Sequence, residues 1–297
     1  MVEGPRIPST VYCLPTDFGL RTLYMTELET KHQRLEGQLA KMTSLIVAYS
    51  GGVDSAYLAY AAHHVLGDRM LAVTALSASY SSRDRMEAQK TVARYHFPHE
   101  FIETNELSNP DYRANRSDRC YFCKDELFAR LGELATHRGY AAVAYGINQD
   151  DLGDWRPGQQ AAREHKILTP LLDSGLTKAD IRELSRQVDL PVWDRPASAC
   201  LSSRIAYGIE VTPERLSTVE RGEDALRGLG FRQFRVRYHD QLVRIEISPE
   251  EMPRALDPAM GRKFVEIFKD LGFKFVTLDL EGYRTGSMNA VLVRLDK

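Results

Sequence analysis

The chain has 297 residues, of which 43% are hydrophobic and 27% are charged, values typical of a globular protein long enough for two domains. Its formal net charge is −2 at pH 7, so no overall basic field would draw it to nucleic acid or to an anionic membrane. No apolar run approaches the roughly 20 residues that span a bilayer, and residues 1–24 do not resemble a secretory signal. Four cysteines in a chain of this length are not the pattern of a secreted disulfide framework. The expected compartment is the cytoplasm.

The first half of the chain alternates between predicted strands and predicted helices. An amphipathic helix over 25–42 comes first, and a second start at Met25 would make residues 1–24 an extension outside the fold. Strands are then predicted over 45–49, 70–76, 100–103, 141–145 and 166–172, with helices over 55–65, 84–95, 124–138 and 178–188. Thr177 is the predicted N-cap of the last helix. Apolar strands that alternate with helices predict a parallel sheet covered on both faces.

The pattern changes after about residue 208. A helix over 213–229 is followed by two predicted strands over 231–238 and 242–247, a helix over 250–271, and strands over 273–280 and 291–295. Polar and apolar residues alternate in the first two strands, so each is expected to have one face in contact with solvent. This part is predicted to be a smaller α+β domain over 208–297 that serves the substrate or oligomerisation.

The most informative motif follows the strand over 45–49, where residues 50–55 read Ser-Gly-Gly-Val-Asp-Ser. Glycines let a backbone approach a phosphate, and hydroxyl and amide groups at a helix N-terminus donate hydrogen bonds to it. The segment lacks the Gly-Lys-Ser/Thr ending of a Walker loop. It resembles the PP-loop of the ATP pyrophosphatases, which cleave ATP to AMP and pyrophosphate while they adenylylate a substrate. The resemblance implies an α/β fold with a parallel-sheet PP-loop ATP pyrophosphatase domain over 25–207.

This resemblance also implies roles at the nucleotide. The residues expected to bind ATP and its Mg²⁺ are Ser50, Gly51, Gly52, Asp54, Ser55 and Lys178. Glycine and serine groups would donate hydrogen bonds to phosphate, whereas Asp54 would meet the magnesium ion, because a bare carboxylate repels phosphate. Lys178 would neutralise charge near the β- and γ-phosphates. A solvated lysine at the start of a helix is the alternative interpretation.

The second informative motif is Cys120-x-x-Cys123, placed just before the helix predicted over 124–138. Such a pair can be a redox dithiol, half of a zinc site or part of an iron–sulfur site. Cys200 lies in a stretch of small residues that is predicted to be a loop, and Cys13 lies in the N-terminal extension. Three cysteines leave one corner of a tetrahedral site or of a cubane without a ligand, which suits chemistry better than scaffolding. Buried structural thiols are the alternative.

Several further segments occur with the PP-loop in one family. In chain order they are Cys-Tyr-Phe-Cys-Lys-Asp-Glu-Leu-Phe (120–128), Asp-Trp-Arg-Pro-Gly (154–158), Ala-Cys-Leu-Ser-Ser-Arg (199–204), Tyr207-Gly208 and Arg235-Val236-Arg237. Together they resemble the LarE family, the ATP-dependent sulfur transferases that make the thiocarboxylate groups of the nickel-pincer nucleotide cofactor. The resemblance covers residues from about 25 to 290.

The resemblance also bears on the source of the sulfur. Some family members surrender the sulfur of their own cysteine, and others hold a [4Fe-4S] cluster with three cysteines and bind extra sulfide at the free iron. Cys120, Cys123 and Cys200 place this chain with the cluster-bearing type. The sacrificial type lacks the Cys-x-x-Cys pair, and its single cysteine stands where this chain has Ala199. That offset argues against consumption of Cys200.

The substrate implied by the resemblance is a pyridinium biscarboxylate mononucleotide, with sulfide or another sulfur donor as the second reactant and a homo-oligomer as the expected assembly. Such an anion needs forked donors, and the candidates are Arg204, Arg235, Arg237 and Arg284. Glu223 and Glu246 match acidic positions that the family uses for a second metal or for substrate placement. The predicted catalytic residues are Cys200, Glu223, Arg235 and Arg237. A solvated arginine face is the alternative for the strand arginines.

Other functions share parts of this pattern. A tRNA thiolase has a PP-loop and cysteines, but it would be expected to show a basic patch, which a pI of about 6.5 does not favour. An amide-forming synthetase with a PP-loop would not need three cysteines. A nucleotide-binding sensor could hold ATP without turnover, but that reading leaves the arginines and the cysteines unexplained.

Overall fold

The computed structural model describes residues 25–153, 157–196, 199–284 and 286–288. The elements before residue 208 are α1 (Glu27–Leu39), β1 (Leu45–Ala48), α2 (Val53–Leu66), β2 (Met70–Leu76), α3 (Ser82–Tyr95), β3 (His99–Glu103), α4 (Pro110–Arg113), α5 (Arg119–Arg138), β4 (Ala142–Tyr145), α6 (Pro157–Glu164), α7 (Pro170–Asp173) and α8 (Lys178–Gln187). Those after it are α9 (Pro213–Gly228), β5 (Phe234–His239), β6 (Leu242–Ile247), α10 (Met252–Ala255), α11 (Pro258–Asp270) and β7 (Phe275–Leu278).

The first sheet has four parallel strands in the order β3-β2-β1-β4. Successive residues of a strand point to opposite faces, and both faces are covered by helices here. Leu45 and Val47 of β1 pack with α1, α2 and α8, whereas Ile46 between them packs with α5 and α6. This double burial explains why the strands are apolar without alternation.

The second sheet has three strands in the order β5-β6-β7, with β5 and β6 antiparallel and β6 and β7 parallel. One face is apolar and packs against α9 and α11, where Val236 and Ile245 meet Phe264 and Phe268. The opposite face carries arginines and a glutamate and is described with the site. The predicted fold class, a parallel α/β sheet followed by a smaller α+β unit, is confirmed. The exact boundary near residue 208 stays a prediction.

Several predicted element bounds were wrong. The helix predicted from residue 124 begins at Arg119, so the Cys-x-x-Cys pair is helical. The helix predicted over 250–271 is two helices, because Asp257 caps α11 and Pro258 cannot continue the helix before it. The strand predicted over 166–172 is a single bridge from Leu168 to Ala144, and it leads into α7.

Some expectations fall on parts of the chain that are not described. The extension over 1–24, the Asp-Trp-Arg part of the 154–158 segment and the strand over 291–295 lie outside the described residues. Among the helices that are described, none is long and apolar enough to cross a membrane.

A glycine fixes the distance between the PP-loop helix and the strand beside it. Gly146 follows β4, and a Cβ atom built on it would lie 2.7 Å from the amide nitrogen of Ser55 and 2.9 Å from the carbonyl carbon of Asp54. Both are backbone atoms at the start of α2, so neither can rotate away. Only glycine lets the two segments approach so closely.

We therefore expect Gly146→Ala to lower the free energy of unfolding by about 1–3 kcal/mol, the usual cost of overpacking. Gly132→Ala is the matched control, because Gly132 lies inside α5 with no atom within 4 Å of its added Cβ. The control should gain up to about 1 kcal/mol from helix propensity. Urea unfolding of both variants measures the difference, and equal changes would contradict this account of Gly146.

Candidate active site

The PP-loop joins the end of β1 to the start of α2 and is held by its own serines. The Ser55 hydroxyl accepts from the amide of Ser50 at 3.1 Å and donates to the carbonyl of Gly52 at 3.0 Å. Gly51 has φ +76°, a conformation that favours glycine, and an added Cβ would lie 2.9 Å from the Cβ of Ala88. The Tyr80 hydroxyl donates to the carbonyl of Ser50 at 3.1 Å. The loop is thus a compact turn with little room for side chains.

The N-terminus of α2 is open to a bound anion. Gly52 is its N-cap and supplies no side-chain hydrogen bond, so the first amides of this 14-residue helix have no capping acceptor. These amides and the helix dipole favour a phosphate at this position. The structure therefore brings Ser50, Gly51, Gly52 and Ser55 together as predicted.

Asp54 and Lys178 form an ion pair beside the loop. The Lys178 Nζ atom lies 2.5 Å from Asp54 Oδ2, and the Asn148 side-chain amide donates to Asp54 Oδ1 at 3.3 Å. Lys178 opens α8, and its backbone amide donates to Asp150 at 2.7 Å. Lys178 is therefore paired in the structure and not simply solvated. Whether Asp54 meets magnesium and Lys178 meets phosphate stays a prediction.

A cavity of about 210 Å³ opens at the carboxyl ends of the parallel strands. Ligands bind at this edge in open α/β sheets. Its walls combine the PP-loop, the segments that follow β2, β3 and β4, the start of α5 and the cysteine loop; they include Ser50, Asp54, Ser77, Tyr80, Thr104, Glu106, Cys123, Lys124, Gly146 and Cys200. The PP-loop and two of the three predicted metal-ligating cysteines thus line the same cavity.

Cys120 and Cys123 lie in the first two turns of α5, not in a loop before it. The partial positive charge of a helix N-terminus stabilises anionic groups, including thiolates. Cys120, Cys123 and Cys200 are all free thiols. Burial raises the pKa of Cys123, and the charges of Glu106 and of the other two cysteines add to the effect. Burial also raises the pKa of Cys120, and the charge of Cys200 raises it further.

Three thiol groups are the donor set that a [4Fe-4S] cluster with one open iron would require. Within the described ranges, no three Cys, His, Asp or Glu side chains are placed to hold one ion. A cubane needs a wider arrangement, because each thiolate binds a different iron atom. Cys123 and Cys200 border one cavity, Cys120 lies one helical turn before Cys123, and all three are free thiols, so they would fit such a group.

Buried arginines hold the cysteine loop, which we define as residues 199–204. Arg204 donates to the carbonyl of Cys200 at 2.9 Å and to that of Ala199. Arg119 donates to the carbonyl of Ser202 at 3.0 Å, and Arg237 donates to that of Ser203 at 3.1 Å. These side chains are only 3%, 5% and 6% exposed, respectively. The position of Cys200 is therefore set by charged hydrogen bonds from three separate elements.

Arg204 also forms a buried ion pair with Glu223 of α9. Its Nε atom lies 2.9 Å from Glu223 Oε1, and its Nη2 atom donates to Oε2 at 3.3 Å. Both residues were predicted to contact the substrate or a metal. The structure places them together and joins the cysteine loop to the second unit through them.

Asn115 anchors the segment that directly follows the cysteine loop. It is fully buried with φ +53°, and its side-chain amide donates to the carbonyls of Ile205, Ala206 and Ile209 at 2.9–3.2 Å. Nearby, the hydroxyls of Tyr112 and Ser202 lie 2.6 Å apart. Sequence reasoning missed Asn115, although asparagine is among the few residues that tolerate a left-handed backbone.

The predicted solvent-exposed face of β5 and β6 is largely buried, which corrects that expectation. Arg237 is 6% exposed and Glu246 is 0% exposed. Glu246 accepts hydrogen bonds from Arg237 at 2.9 Å, from Arg244 at 3.0 Å and from the Ser287 hydroxyl at 2.8 Å. The cysteine loop and the segment around Ser287 cover this face. A charge pattern along a strand does not reveal such a cover.

Arg235 and Arg284 lie in different surroundings. Arg235 is partly buried opposite Glu246, with its guanidinium 5.0 Å from the centre of the Tyr283 ring. Burial lowers the pKa of Arg235, and the charge of Arg204 lowers it further, so a bound anion would stabilise this group. Arg284 forms an exposed pair with Glu281 at 2.5 Å.

Lys124 and Glu106 line the cavity and were also missed. Lys124 directly follows Cys123, and its position in the motif was the available signal. Glu106 is 4% exposed, accepts a 3.4 Å hydrogen bond from Ser79 and lies in a short 3-10 turn after β3. Nothing in its local sequence distinguishes it from a surface acid. Lys124 is the cation placed to meet an anionic ligand within this cavity.

Comparisons with known proteins found similar chains. No family model matches the chain. It is 32% identical over 271 residues to pyridinium-3,5-bisthiocarboxylic acid mononucleotide synthase of Lactiplantibacillus plantarum, covering 91% of this chain and 98% of that protein. An uncharacterised protein of Synechocystis sp. is 43% identical over 267 residues, or 90% of this chain and 100% of that one. An uncharacterised protein of Methanocaldococcus jannaschii is 29% identical over 245 residues, which cover 82% of this chain and 92% of that protein.

The buried pair predicts a structural cost for loss of Arg237. We expect Arg237→Ala to lower the free energy of unfolding by about 3 kcal/mol, because it removes one partner of a buried carboxylate while Arg244 and Ser287 remain. Arg284→Ala is the control, since its pair with Glu281 is exposed and should contribute less than about 1 kcal/mol. Urea unfolding measures both. Similar small losses would show that Arg237 lies on a solvated face after all.

Proposed function

Because the chain belongs to the LarE family of sulfur transferases, we propose that it uses ATP to convert the carboxylates of a pyridinium biscarboxylate mononucleotide to thiocarboxylates. The observation that carries this proposal is the shared cavity. The cavity is lined at one place by the uncapped N-terminus of α2, which suits a phosphate. It is also lined by Cys123 and Cys200. The relative from L. plantarum is named for the product of this reaction.

Activation by ATP answers a chemical problem. The oxide of a carboxylate is a very poor leaving group, so sulfide cannot displace it directly. Attack of the carboxylate on the α-phosphate forms an acyl adenylate and releases pyrophosphate. Hydrosulfide then adds to the acyl carbon, AMP departs with the former carboxylate oxygen, and the proton of hydrosulfide is released. One thiocarboxylate is formed, with one AMP and one pyrophosphate for each ATP.

The PP-loop and its neighbours suit the first step. The amides at the start of α2 would donate to the departing pyrophosphate, whose developing charge they stabilise. Bound Mg²⁺ would share that charge, and Asp54 is the carboxylate placed to meet it. Lys178 now neutralises Asp54, so arrival of the metal would release Lys178 toward the phosphates. Lys124 also lines the cavity and would supply a second cation.

The cysteines suit the second step. Cys120, Cys123 and Cys200 would hold a [4Fe-4S] cluster, whose fourth iron lacks a protein ligand and supplies a place for sulfide. Cys200 stays close to the nucleotide loop, because the backbone amide of Leu201 donates to the carbonyl of Ser79 at 2.9 Å. Ser79 lines the cavity as well. This contact ties the sulfur side of the site to the ATP side.

The arginine face suits the anionic substrate. Arg235, Arg237 and Arg244 face Glu246 and Asp279, so three cations meet two carboxylates. Arg237 is committed to Glu246 and to the cysteine loop, which gives it a positioning role. Arg235 is the forked donor that we assign to a carboxylate or to the phosphate of the substrate.

The first reaction predicts AMP and pyrophosphate as products, and it predicts their dependence on Asp54. Asp54→Asn should lower the rate of substrate-dependent pyrophosphate release by about 100-fold or more, the size of loss seen when one stabilising group at a developing charge is removed. Asp68→Asn is the matched control, because Asp68 is exposed just beyond the other end of α2. Phosphorus NMR identifies the products. ADP and phosphate in place of AMP and pyrophosphate would contradict the proposal.

The same assay separates binding from activation. Arg235→Ala should raise the half-saturating concentration of the mononucleotide by roughly tenfold to a hundredfold, since a charge-assisted hydrogen bond contributes about 1.5–3 kcal/mol. The half-saturating concentration of ATP should change little. An unchanged half-saturating concentration of the mononucleotide would show that Arg235 does not bind the substrate.

The cluster predicts repeated turnover with Cys200 intact. Protein purified without oxygen should contain iron and acid-labile sulfide, and Cys123→Ala should lose both, whereas Cys13→Ala should keep them. Mass spectrometry after several turnovers with added sulfide should find Cys200 unchanged. Loss of the mass of H₂S at Cys200, with normal activity in a Cys120→Ala, Cys123→Ala variant, would instead establish sacrifice of the cysteine.

A further inference from the structure

Arg119 is a buried cation without a carboxylate partner in the part of the chain that the structure describes. It is 5% exposed, and its guanidinium donates to the side-chain oxygen of Asn115 and to the carbonyl of Ser202. Arg204 and Arg237, which are buried to the same degree, each form an ion pair with a glutamate. Arg119 therefore differs from the other arginines of the cysteine loop in having only neutral acceptors.

A buried charge is stable only when an opposite charge or a set of good hydrogen bonds compensates for the loss of water. Two cysteines near Arg119 can carry negative charge. Cys120 follows it in the first turn of α5, and Cys200 lies two residues before the Ser202 carbonyl that Arg119 binds.

We propose that Arg119 is the internal counter-ion of the sulfur centre. Its guanidinium compensates for the negative charge that Cys120 and Cys200 bring together when they bind a cluster, and it fixes the distance between them through the Ser202 carbonyl. This inference rests on the cluster assignment made in the proposed function. It gives Arg119 a positioning and electrostatic role, because it acts through the cysteines and not on the substrate.

The charge of Arg119 has a measurable consequence that a purely structural contact lacks. Reduction adds one negative charge to an iron–sulfur cluster, and a nearby buried cation stabilises that charge. The reduction potential of a cluster depends on net charge, hydrogen bonds and exposure. Removal of the cation should therefore make the potential more negative even where the cluster remains bound.

The test compares variants of the full chain, reconstituted with iron and sulfide without oxygen. Arg119→Gln keeps a hydrogen-bonding side chain but removes the charge, and Arg119→Lys keeps the charge. Arg116→Gln is the matched control. It also removes a positive charge, three residues from Arg119, but the Arg116 side chain is exposed and paired with Asp111. The readouts are iron content, the midpoint potential in a spectroscopic titration, and the rate of iron loss to a chelator.

We expect Arg119→Gln to shift the midpoint potential to a more negative value and to lose iron roughly tenfold to a hundredfold faster, the usual effect of removing a group that supports metal ligands. Arg119→Lys should stay near the wild-type potential, and Arg116→Gln should match the wild type in every readout. If Arg119→Gln does not fold, Arg119→Lys decides: a wild-type potential supports the counter-ion role, and a more negative one overturns it.

Other outcomes are equally informative. An Arg119→Gln protein that loses iron but keeps the wild-type potential would show a scaffolding role only and would overturn the inference. A wild-type chain that binds no iron would overturn it together with the cluster assignment. ATP-dependent thiocarboxylate formation, followed by pyrophosphate release, would still be open to test in that case, so the two failures are distinguishable.

Discussion

Three buried guanidinium groups donate to the carbonyls of the cysteine loop, and the rest of the site depends on these contacts. Arg119 comes from the start of α5, Arg237 from β5, and Arg204 from the loop itself with Glu223 of α9 behind it. A one-turn helix such as this loop leaves backbone carbonyls without partners. A guanidinium group has five N–H donors, so one arginine can bind more of these carbonyls than any neutral side chain can. Cys200 is thereby held at the meeting point of both sheets.

This arrangement also explains why the second unit is part of the site and not an appendage. Its strands supply Arg235 and Arg237, and its helix α9 supplies Glu223, so the position of a cysteine in the first unit depends on charges in the second. Further contact comes from Glu220, which accepts from the amide of Ser82 at 2.7 Å. Arg204 donates to the Cys200 carbonyl and pairs with Glu223, so it links the cysteine loop to the second unit.

Sequence predicted the features that depend on local order. The strand, the Gly-Gly turn and the helix of the PP-loop are consecutive in the chain, so this local structure could be predicted directly from residues 50–55. The burial of Arg237 and Glu246 could not, because it depends on cover from residues near 203 and 287. The early start of α5 was missed because Asp118 stands at the N-cap without making a side-chain capping bond. Asn115 and Arg119 act on residues about 80 to 95 positions away, a separation that periodicity cannot show.

The distribution of charge finally suggests an order of events. Beside the PP-loop, Asp54 and Lys178 neutralise each other, so under the proposed function this pair would exchange for Mg²⁺ and phosphate without leaving either charge alone. Beside the cysteines, Arg119 forms no ion pair with a carboxylate among the described residues and donates to neutral acceptors. Under the proposed function, the ATP site is balanced in charge when it is empty, whereas Arg119 would gain an opposite charge only when a cluster binds. That asymmetry would favour a protein that carries its sulfur centre continuously and admits ATP and substrate afterwards.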